Sequence, residues 1–462
     1  MRSINRHTDT ITAISTPYGV GGIGIIRVSG PLSEQIGRIV FKCRNPLASI
    51  ESHRLYHGDF ISSETGLSID EVLMTLMRGP HSYTGEDVLE IHCHGGPAIL
   101  QAVLRETIKA GARPARTGEF TERAYLNGRL DLIQAEAVGD MIHAQSELAL
   151  VHALSHLKGG LSEKLHALRS DLLDLLAIME ASIDFPEEDL ESVANDSPVK
   201  LAGILVRIAD LLATYREGKM ITDGMEVVIT GKSNVGKSSL LNCLLGEERA
   251  IVTETAGTTR DLISETISIK GIPVRLTDTA GIRDTRDMIE KKGIEMVWEK
   301  LDRTDAVILV LDGSMPLDES DRMIIRRISG KKIMVAVNKS DLLRTLSEED
   351  IQAILPGVEC QTLSAKYGQG IEELRERLHQ SFIGKREGEN ARTIISNVRH
   401  KEALEKAESL LIKARENILN GLSPELTIVD LQDAITALGE LIGEATGEDV
   451  LERIFSTFCI GK

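Results

Sequence analysis

The sequence predicts a multidomain protein of mixed α/β and α class, with an N-terminal α+β domain, a discontinuous helical domain, and a P-loop α/β domain inserted between the two helical halves. Three observations predict it. At 462 residues the chain exceeds what one hydrophobic core supports, because domains settle near ~100 to 200 residues. Strand-like and helix-like segments alternate only between Met225 and about Phe382, and helical periodicity runs on both sides of that stretch. An α/β module flanked by two helical halves is most economically an insertion.

Up to about Glu122, short β-rich runs (Ile11 to Ser15, Ile23 to Val28, Val72 to Met77, Val88 to Cys93) are broken by glycine and proline, with helical patterns between them. Residues 1–122 therefore read as an α+β domain. From Leu148 through Val151, Leu154, Leu157, Leu161, Leu165, Leu168, Leu172 and Leu175 to Met179, apolar residues recur at helical spacing. This predicts one long amphipathic helix, or two joined at Gly159-Gly160. A further helical pattern follows the turn-like Asp184-Phe185-Pro186 and reaches about Arg216, so residues 123–219 form the first helical half. Residues 220–383 carry the α/β pattern, and 384–462, helical from Val398, the second half.

The chain holds 53 basic and 70 acidic residues, a formal net charge of −17. That opposes non-specific nucleic-acid binding by the whole surface, so any RNA contact is expected to be local or shared with a partner. The five cysteines, including Cys459, are far apart and show no Cys-x-x-Cys spacing, which fits a reducing cytoplasm. With neither a signal-peptide pattern nor a bilayer-length apolar run, the expectation is a soluble cytoplasmic protein without membrane association.

The phosphate site is the most specific signal. Met225 to Thr230 is β-rich, Gly231-Lys232-Ser233-Asn234-Val235-Gly236-Lys237-Ser238 follows, and Ser239-Leu240-Leu241-Asn242 opens a helix. Strand, Gly-x-x-x-x-Gly-Lys-Ser, helix is the context in which this pattern holds phosphates. The glycines let backbone N–H groups converge on the β-phosphate, the helix N-terminus adds its positive end, Lys237 meets the β- and γ-phosphates, and Ser238 ligates Mg2+. Downstream, Val274 to Thr277 leads into Asp278-Thr279-Ala280-Gly281, placing an acid near the metal and a glycine N–H near the γ-phosphate. Between them, Gly257-Thr258-Thr259-Arg260-Asp261 offers a hydroxyl that completes the magnesium shell while triphosphate is present.

The base is read by Asn338-Lys339-Ser340-Asp341, directly after the apolar run Ile333 to Val337. A carboxylate at Asp341 accepts from guanine N1–H and the 2-amino group, whereas adenine would leave it unpaired, so discrimination is steep. Ser364-Ala365-Lys366 can supply a backbone N–H to guanine O6. Five elements in this order point to GTP rather than ATP. The expected nucleotide contacts are Asn234, Val235, Gly236, Lys237, Ser238 and Ser239; Thr253, Glu254, Thr255, Ala256, Gly257, Thr258 and Thr259; Asp278, Thr279, Ala280 and Gly281; Asn338, Lys339 and Asp341; and Ser364, Ala365 and Lys366.

Ile282 stands where many small GTPases place a water-orienting glutamine. Its side chain cannot position water. Asn234 and the oxygen-rich Thr253-Glu254-Thr255-Ala256-Gly257-Thr258 suit a hard cation beside the phosphates, where one positive charge replaces an arginine finger. The alternative is that Asn234 only braces the loop.

With these motifs, the internal Ile183-Asp184-Phe185-Pro186-Glu187-Glu188 and the terminal Phe458-Cys459-Ile460-Gly461-Lys462, the chain resembles the MnmE (TrmE) family of tRNA-modification GTPases. The likeness runs from Gly19-x-Gly21-Gly22-Ile23-Gly24-Ile25-Ile26-Arg27 to Lys462. It implies an N-terminal domain that forms a homodimer and binds a tetrahydrofolate derivative, and an inserted G domain whose potassium-dependent pairing activates hydrolysis. It also implies a hetero-oligomeric complex with the flavin protein MnmG, which carries FAD, to build an aminomethyl or carboxymethylaminomethyl group on the wobble uridine of certain tRNAs. Position by position, the resemblance makes Arg27, Glu90, Arg129 and Lys462 folate contacts, Arg129 standing where relatives can have lysine, a change that keeps charge but not geometry. It places potassium on Asn234, Thr253, Thr255 and Thr258 and magnesium on Ser238 and Thr259. Glu290 would orient the attacking water beside the catalytic Lys237, and Cys459 would take part in the modification.

Two features point elsewhere. Adjacent residues of His92-Cys93-His94 face opposite sides of a strand, which argues against a shared metal. Arg392, Arg399, His400, Lys401 and Lys406 are interspersed with glutamates, as on a solvated helix face, with a tRNA contact as the alternative. A regulatory GTPase switch, such as a ribosome-assembly factor, and a folate-dependent transferase with an attached G domain remain competing readings. Folate binding separates the first from the leading reading, and a tRNA-dependent product the second.

Overall fold

The computed structural model describes residues 9–44, 49–184, 196–246, 264–278, 301, 304–383, 393–444 and 446–462. The chain divides into two compact units: Met1–Ile142, Leu154–Val206 and Ala403–Lys462 form one, and His143–Ala153 with Arg207–Glu402 the other.

The first unit opens with strands β1 (Ile11–Ile14), β2 (Ile23–Ser29), β3 (Phe41–Cys43), β4 (Leu55–Ile61), β5 (Ser68–Met77), β6 (Val88–His94) and β7 (Arg113–Pro114). They form one sheet in the order β3-β4-β5-β6-β2-β1-β7. Helices α1 (Ser33–Val40) and α2 (Pro97–Lys109) contribute Ile36, Val40, Leu100 and Val103 to a core shared with Ile26, Val28, Met74, Leu76, Leu89 and Ile91 of the sheet. Because strand side chains alternate, Arg27 falls on the face opposite Ile26 and Val28, and pairing of β2 with β6 sets it directly across from Glu90. Leu89, Ile91 and Cys93 are buried, while Glu90, His92 and His94 share the more open side.

Helices α3 (Glu119–Leu126), α4 (Leu132–His143), α5 (Glu147–Leu157) and α6 (Gly160–Asp184) follow. Of the two readings of the long apolar stripe, the structure shows two helices, broken where Gly159 takes φ +92, a value that favours glycine. Leu161, Leu165, Leu168, Leu172, Leu175 and Met179 form the buried stripe of α6, each such side chain stabilising by about 1.5–3 kcal/mol when fully buried. After α7 (Ser197–Ala213) and α8 (Tyr215–Thr222) comes the α/β region, and beyond it α13 (Val398–Leu419), α14 (Pro424–Ile442) and α15 (Glu448–Ser456). Helix α14 packs on α6, Gln432 reaching Glu180 at 3.4 Å. Phe455 and Phe458 close a small core with Leu132, Ala135 and Val138 of α4. Among the described residues no helix is long and apolar enough to cross a membrane.

The α/β region comprises β8 (Met225–Thr230), α9 (Lys237–Leu245), β9 (Ser264–Ile269), β10 (Ile272–Asp278), β11 (Ala306–Asp312), α10 (Glu319–Ile328), β12 (Ile333–Asn338), α11 (Glu348–Gln352), β13 (Glu359–Thr362) and α12 (Ile371–Ile383). Its sheet runs β13-β12-β11-β8-β10-β9, with only the β9–β10 pair antiparallel among the described strands. The apolar strands β8, β11 and β12 are buried on both faces, as a parallel sheet covered by helices requires. Register brings Asp278 level with Ile229 and Asp312 level with Asn338. The carboxyl ends of the strands, where open α/β sheets bind ligands, thus collect Thr230, Asp278, Asp312 and Asn338 along one edge.

Candidate functional site

The loop leaving β8 is shaped by close backbone approaches. Gly231 has φ +150, and a Cβ there would lie 2.3 Å from the Val310 carbonyl oxygen; Gly236 has φ +98, and a Cβ there would lie 2.2 Å from Asn338 Nδ2. Only glycine fits either place. Asn234 sits between them at φ +65, exposed. Among the described residues nothing hydrogen-bonds to its side chain. Helix α9 begins at Lys237, with Ser238 and Ser239 exposed on its first turn. The buried Lys237 ammonium donates to the carbonyls of Gly231 at 3.0 Å and Lys232 at 2.6 Å, which spans the loop mouth with a positive charge.

Lys232 anchors the loop sideways. Its ammonium lies 2.8 Å from Asp318 and 2.7 Å from Asp321, the N-cap and third residue of α10. Burial pushes this amine down, yet the two carboxylates outweigh it and hold its pKa above the ordinary lysine value.

On the base side, the Asn338 side chain is buried and fully used: Nδ2 donates to the Val235 carbonyl at 2.7 Å and Oδ1 accepts from the Ala365 N–H at 2.9 Å. Lys339, at φ +65, donates to Asp312 at 2.6 Å. Burial raises the Asp312 pKa, but the bonds from Lys339 and Ser314 win and leave it below the usual carboxylate value. Ser364 donates to Asp341 Oδ1 at 2.7 Å, and that bond is the main reason Asp341 is more acidic than usual. Val235, Gly236, Lys237, Asn338, Lys339, Asp341, Ser364, Ala365 and Lys366 are therefore brought around one sheet edge. Sequence reasoning missed Asp312, Lys232 and Cys243 here. For Asp312 a signal existed: an apolar strand, Ala306 to Leu311, ending in Asp-Gly.

Thr253, Glu254, Thr255, Ala256, Gly257, Thr258, Thr259, Thr279, Ala280, Gly281, Ile282 and Glu290 lie outside the described residues, and of Asp278 the backbone alone is described.

A second cluster lies in the first unit. Arg27 meets Glu90 through Nε at 2.9 Å and NH2 at 2.8 Å, and its NH1 donates to the Gly461 carbonyl at 3.2 Å. The guanidinium stands over the rings of Tyr83 and Phe120, 5.4 and 5.7 Å from their centroids. The terminal residues are held against β1 and α3: Ile460 bridges Thr117, Ser15 donates to Gly461 O at 3.3 Å, and Phe120 N donates to Lys462 O at 3.3 Å. Gly461, at φ +93, would place a Cβ 2.4 Å from Ile14 O. Burial, then the Arg27 charge, lowers the Lys462 amine pKa against the opposite pull of Glu90. Arg27, Glu90 and Lys462 are thus gathered, with Cys459 exposed beside them in the chain. Arg129 is exposed and lies over the Gly85 turn. Tyr83 and Phe120 gave no periodic signal in the sequence.

Behind this cluster lies a buried ion network that sequence reasoning did not anticipate. Arg123, fully buried, reaches Asp9 at 2.9 Å, Glu86 at 3.2 Å and Glu119 at 3.1 Å, and Arg113 also pairs with Glu119 at 2.5 Å. Among the helix-face residues, His400 is buried rather than solvated, and Lys401 lies 5.3 Å from the Tyr215 ring centroid. A charge count cannot tell which turn of α13 faces a neighbour. Arg392 is outside the described residues.

Comparison with known proteins matches residues 132–459 to the MnmE helical domain and residues 10–129 to the GTP-binding protein TrmE N-terminus. The tRNA modification GTPase MnmE of Syntrophus aciditrophicus is 49% identical over 98% of this chain and 99% of its own length. That of Geobacter sulfurreducens is 46% identical over 98% of this chain and 99% of its own. Among solved structures, the G domain of the T. maritima FeoB iron transporter is 25% identical over 34% of this chain and 98% of that one, with a TM-score of 0.27.

Proposed function

The chain belongs to the MnmE family of tRNA modification GTPases, and from that premise we propose that it is a potassium-activated GTPase acting with the flavin protein MnmG on the wobble uridine of certain tRNAs. The product is a C5 aminomethyl or carboxymethylaminomethyl group, with its methylene carbon from a tetrahydrofolate derivative. The working particle is a cytoplasmic homodimer joined to MnmG.

The observation that carries this reading is the docking of the terminal residues on Arg27: it assembles Arg27, Glu90 and Lys462 in one place. A regulatory switch has no use for such a cluster. Its chemistry fits a reduced folate, since a carboxylate accepts from the amino and N–H edge of a pterin, aromatic walls flank its plane, and cationic groups meet carboxylates. A tetrahydrofolate derivative bound there supplies the one-carbon unit. Arg27 and Lys462 orient and charge-match, Glu90 fixes the edge that is read, and Arg129 reaches from the Gly85 turn.

At the nucleotide edge, the start of α9 and Lys237 stabilise charge on the β- and γ-phosphate oxygens, moving the ammonium from loop carbonyls to ligand. Ser238, an exposed hydroxyl on the first turn of that helix, suits Mg2+ together with Thr259, and the metal supplies charge neutralisation there. The exposed position of Asn234 inside the phosphate loop supports its assignment to potassium with Thr253, Thr255 and Thr258, and the cation would supply positive charge where an arginine finger would stand. Glu290 orients the attacking water. Asp341 reads guanine against adenine.

Deleting the gene and measuring wobble nucleosides by mass spectrometry tests the proposal, and reconstitution with and without the flavin partner assigns the steps. Unchanged nucleosides in the deletion strain would sink it.

A further inference from the structure

The Ser364-Ala365-Lys366 turn offers three backbone N–H groups, and the structure distinguishes them. Ser364 N donates to the Gln369 carbonyl at 2.9 Å and Ala365 N to Asn338 Oδ1 at 2.9 Å. Among the described residues nothing accepts from Lys366 N–H. The donor left for guanine O6 is therefore that of Lys366.

That N–H belongs to the same planar unit as the Ala365 carbonyl. In a trans peptide the two point in opposite directions, so whatever holds the carbonyl also aims the N–H. The Ala365 carbonyl accepts from the Cys243 thiol, Sγ to O 2.9 Å. Cys243 lies on α9, the helix that starts at Lys237, and its side chain is partly buried against the core of that sheet face. Ala365 is thus held at its N–H by Asn338 and at its carbonyl by Cys243. A second bond, from Arg375 NH2 to the Leu244 carbonyl at 2.9 Å, keeps α12 and the end of α9 in register.

We propose that Cys243 is a positioning residue for guanine recognition: its thiol, by gripping the Ala365 carbonyl, aims the Lys366 N–H at O6 of the base. The effect runs from the phosphate-binding helix to the base-reading turn, so nucleotide affinity depends on a residue that touches no nucleotide atom. The inference rests on the reading of Asp341 and Ser364-Ala365-Lys366 as the guanine site.

The test uses the full chain and its Cys243→Ala, Cys243→Ser and Asp341→Asn variants, titrated with GDP, IDP, 6-thio-GDP and ADP, with a melting temperature for each. Cys243→Ala weakens GDP and IDP alike, by about 3- to 10-fold, the worth of one hydrogen bond. It weakens 6-thio-GDP less, because sulfur is the poorer acceptor, and Cys243→Ser, which keeps a donor, restores GDP to within about twofold. Unchanged GDP affinity in Cys243→Ala overturns the proposal. So does an equal loss for GDP and 6-thio-GDP, which marks Cys243 as a packing residue. If Asp341→Asn still separates GDP from ADP as the parent chain does, the guanine reading itself fails, a result independent of the Cys243 variants.

Discussion

Asn338 and Val235 are joined by a 2.7 Å hydrogen bond from a buried side-chain amide to a phosphate-loop carbonyl. The base-side and phosphate-side loops therefore share one side chain, whose other end takes the Ala365 N–H. Removing the amide leaves two buried backbone groups without partners, each costing about 1–3 kcal/mol. Asn338→Ala is expected to weaken GDP at least about tenfold and to lower the melting temperature. Titration with a fluorescent GDP analogue and calorimetry check it, and parental affinity in this variant would contradict the shared-tie argument.

Gly236 approaches the same amide nitrogen of Asn338. Its φ of +98 and the 2.2 Å approach of an added Cβ to Asn338 Nδ2 leave no room for alanine. Left-handed backbone costs an L-residue about 1–2 kcal/mol, and displacing Asn338 adds to it. Gly236→Ala is expected to lose GTP binding with helix content by circular dichroism unchanged. A variant that binds GTP with parental affinity would show that the loop has slack which the geometry denies.

The nucleotide edge was readable in the sequence because its motif letters mark sites where backbone must bend or approach closely, as at Gly231 and Gly236. Partners were not readable. Nothing in Asn338-Lys339-Ser340-Asp341 says that the asparagine is consumed by Val235 and Ala365, or that Lys339 pairs with Asp312. In the N-terminal sheet, β4 escaped notice because its inward positions are Tyr56, Gly58 and Phe60. A glycine there interrupts the apolar alternation, yet the site demands it, since a Cβ at Gly58 would lie 2.4 Å from Lys42 O. The Arg123 network stayed hidden for another reason: charged residues read as surface until their partners are seen.

Glu119 is expected to make the first unit acid-sensitive. Burial alone would raise its pKa, but Arg113, the Arg116 N–H and Arg123 hold it at about 2, below the model-compound value of 4.5. A depressed folded pKa means the stabilisation is complete above 4.5 and is lost as pH falls from there toward 2. Melting temperature should therefore fall across that window. Glu119→Gln should flatten the fall while destabilising at neutral pH by about 3–5 kcal/mol, because Arg123 stays buried with one partner fewer. A Glu119→Gln chain with the parental acid profile would show that other carboxylates govern the transition.

Arg27 and Glu90 form a pair in which two guanidinium nitrogens reach one carboxylate oxygen. Lysine cannot reproduce that fork. If the cluster holds a reduced folate, Arg27→Lys and Glu90→Gln should each weaken a tetrahydrofolate derivative by about tenfold or more, read by equilibrium dialysis. Deletion of Lys462 should do the same without unfolding the chain, since Phe455 and Phe458 still fill the core with Leu132. Retention of folate by all three variants would move the pocket elsewhere.

The potassium assignment turns on Asn234, which stands exposed at φ +65 inside the phosphate loop with nothing bonded to its side chain among the described residues. A non-glycine residue in that conformation carries a backbone cost, which asparagine tolerates better than most. If potassium binds there, the Asn234 amide oxygen would be one of its ligands, and the cation would lower the barrier by stabilising developing charge. GTP turnover at equal ionic strength should be at least about tenfold faster in potassium than in sodium for the parent chain. In Asn234→Ala that ratio should collapse toward one, while GDP affinity falls much less. Equal rates in the two salts for the parent chain would leave Asn234 as a loop residue and remove the cation from the site.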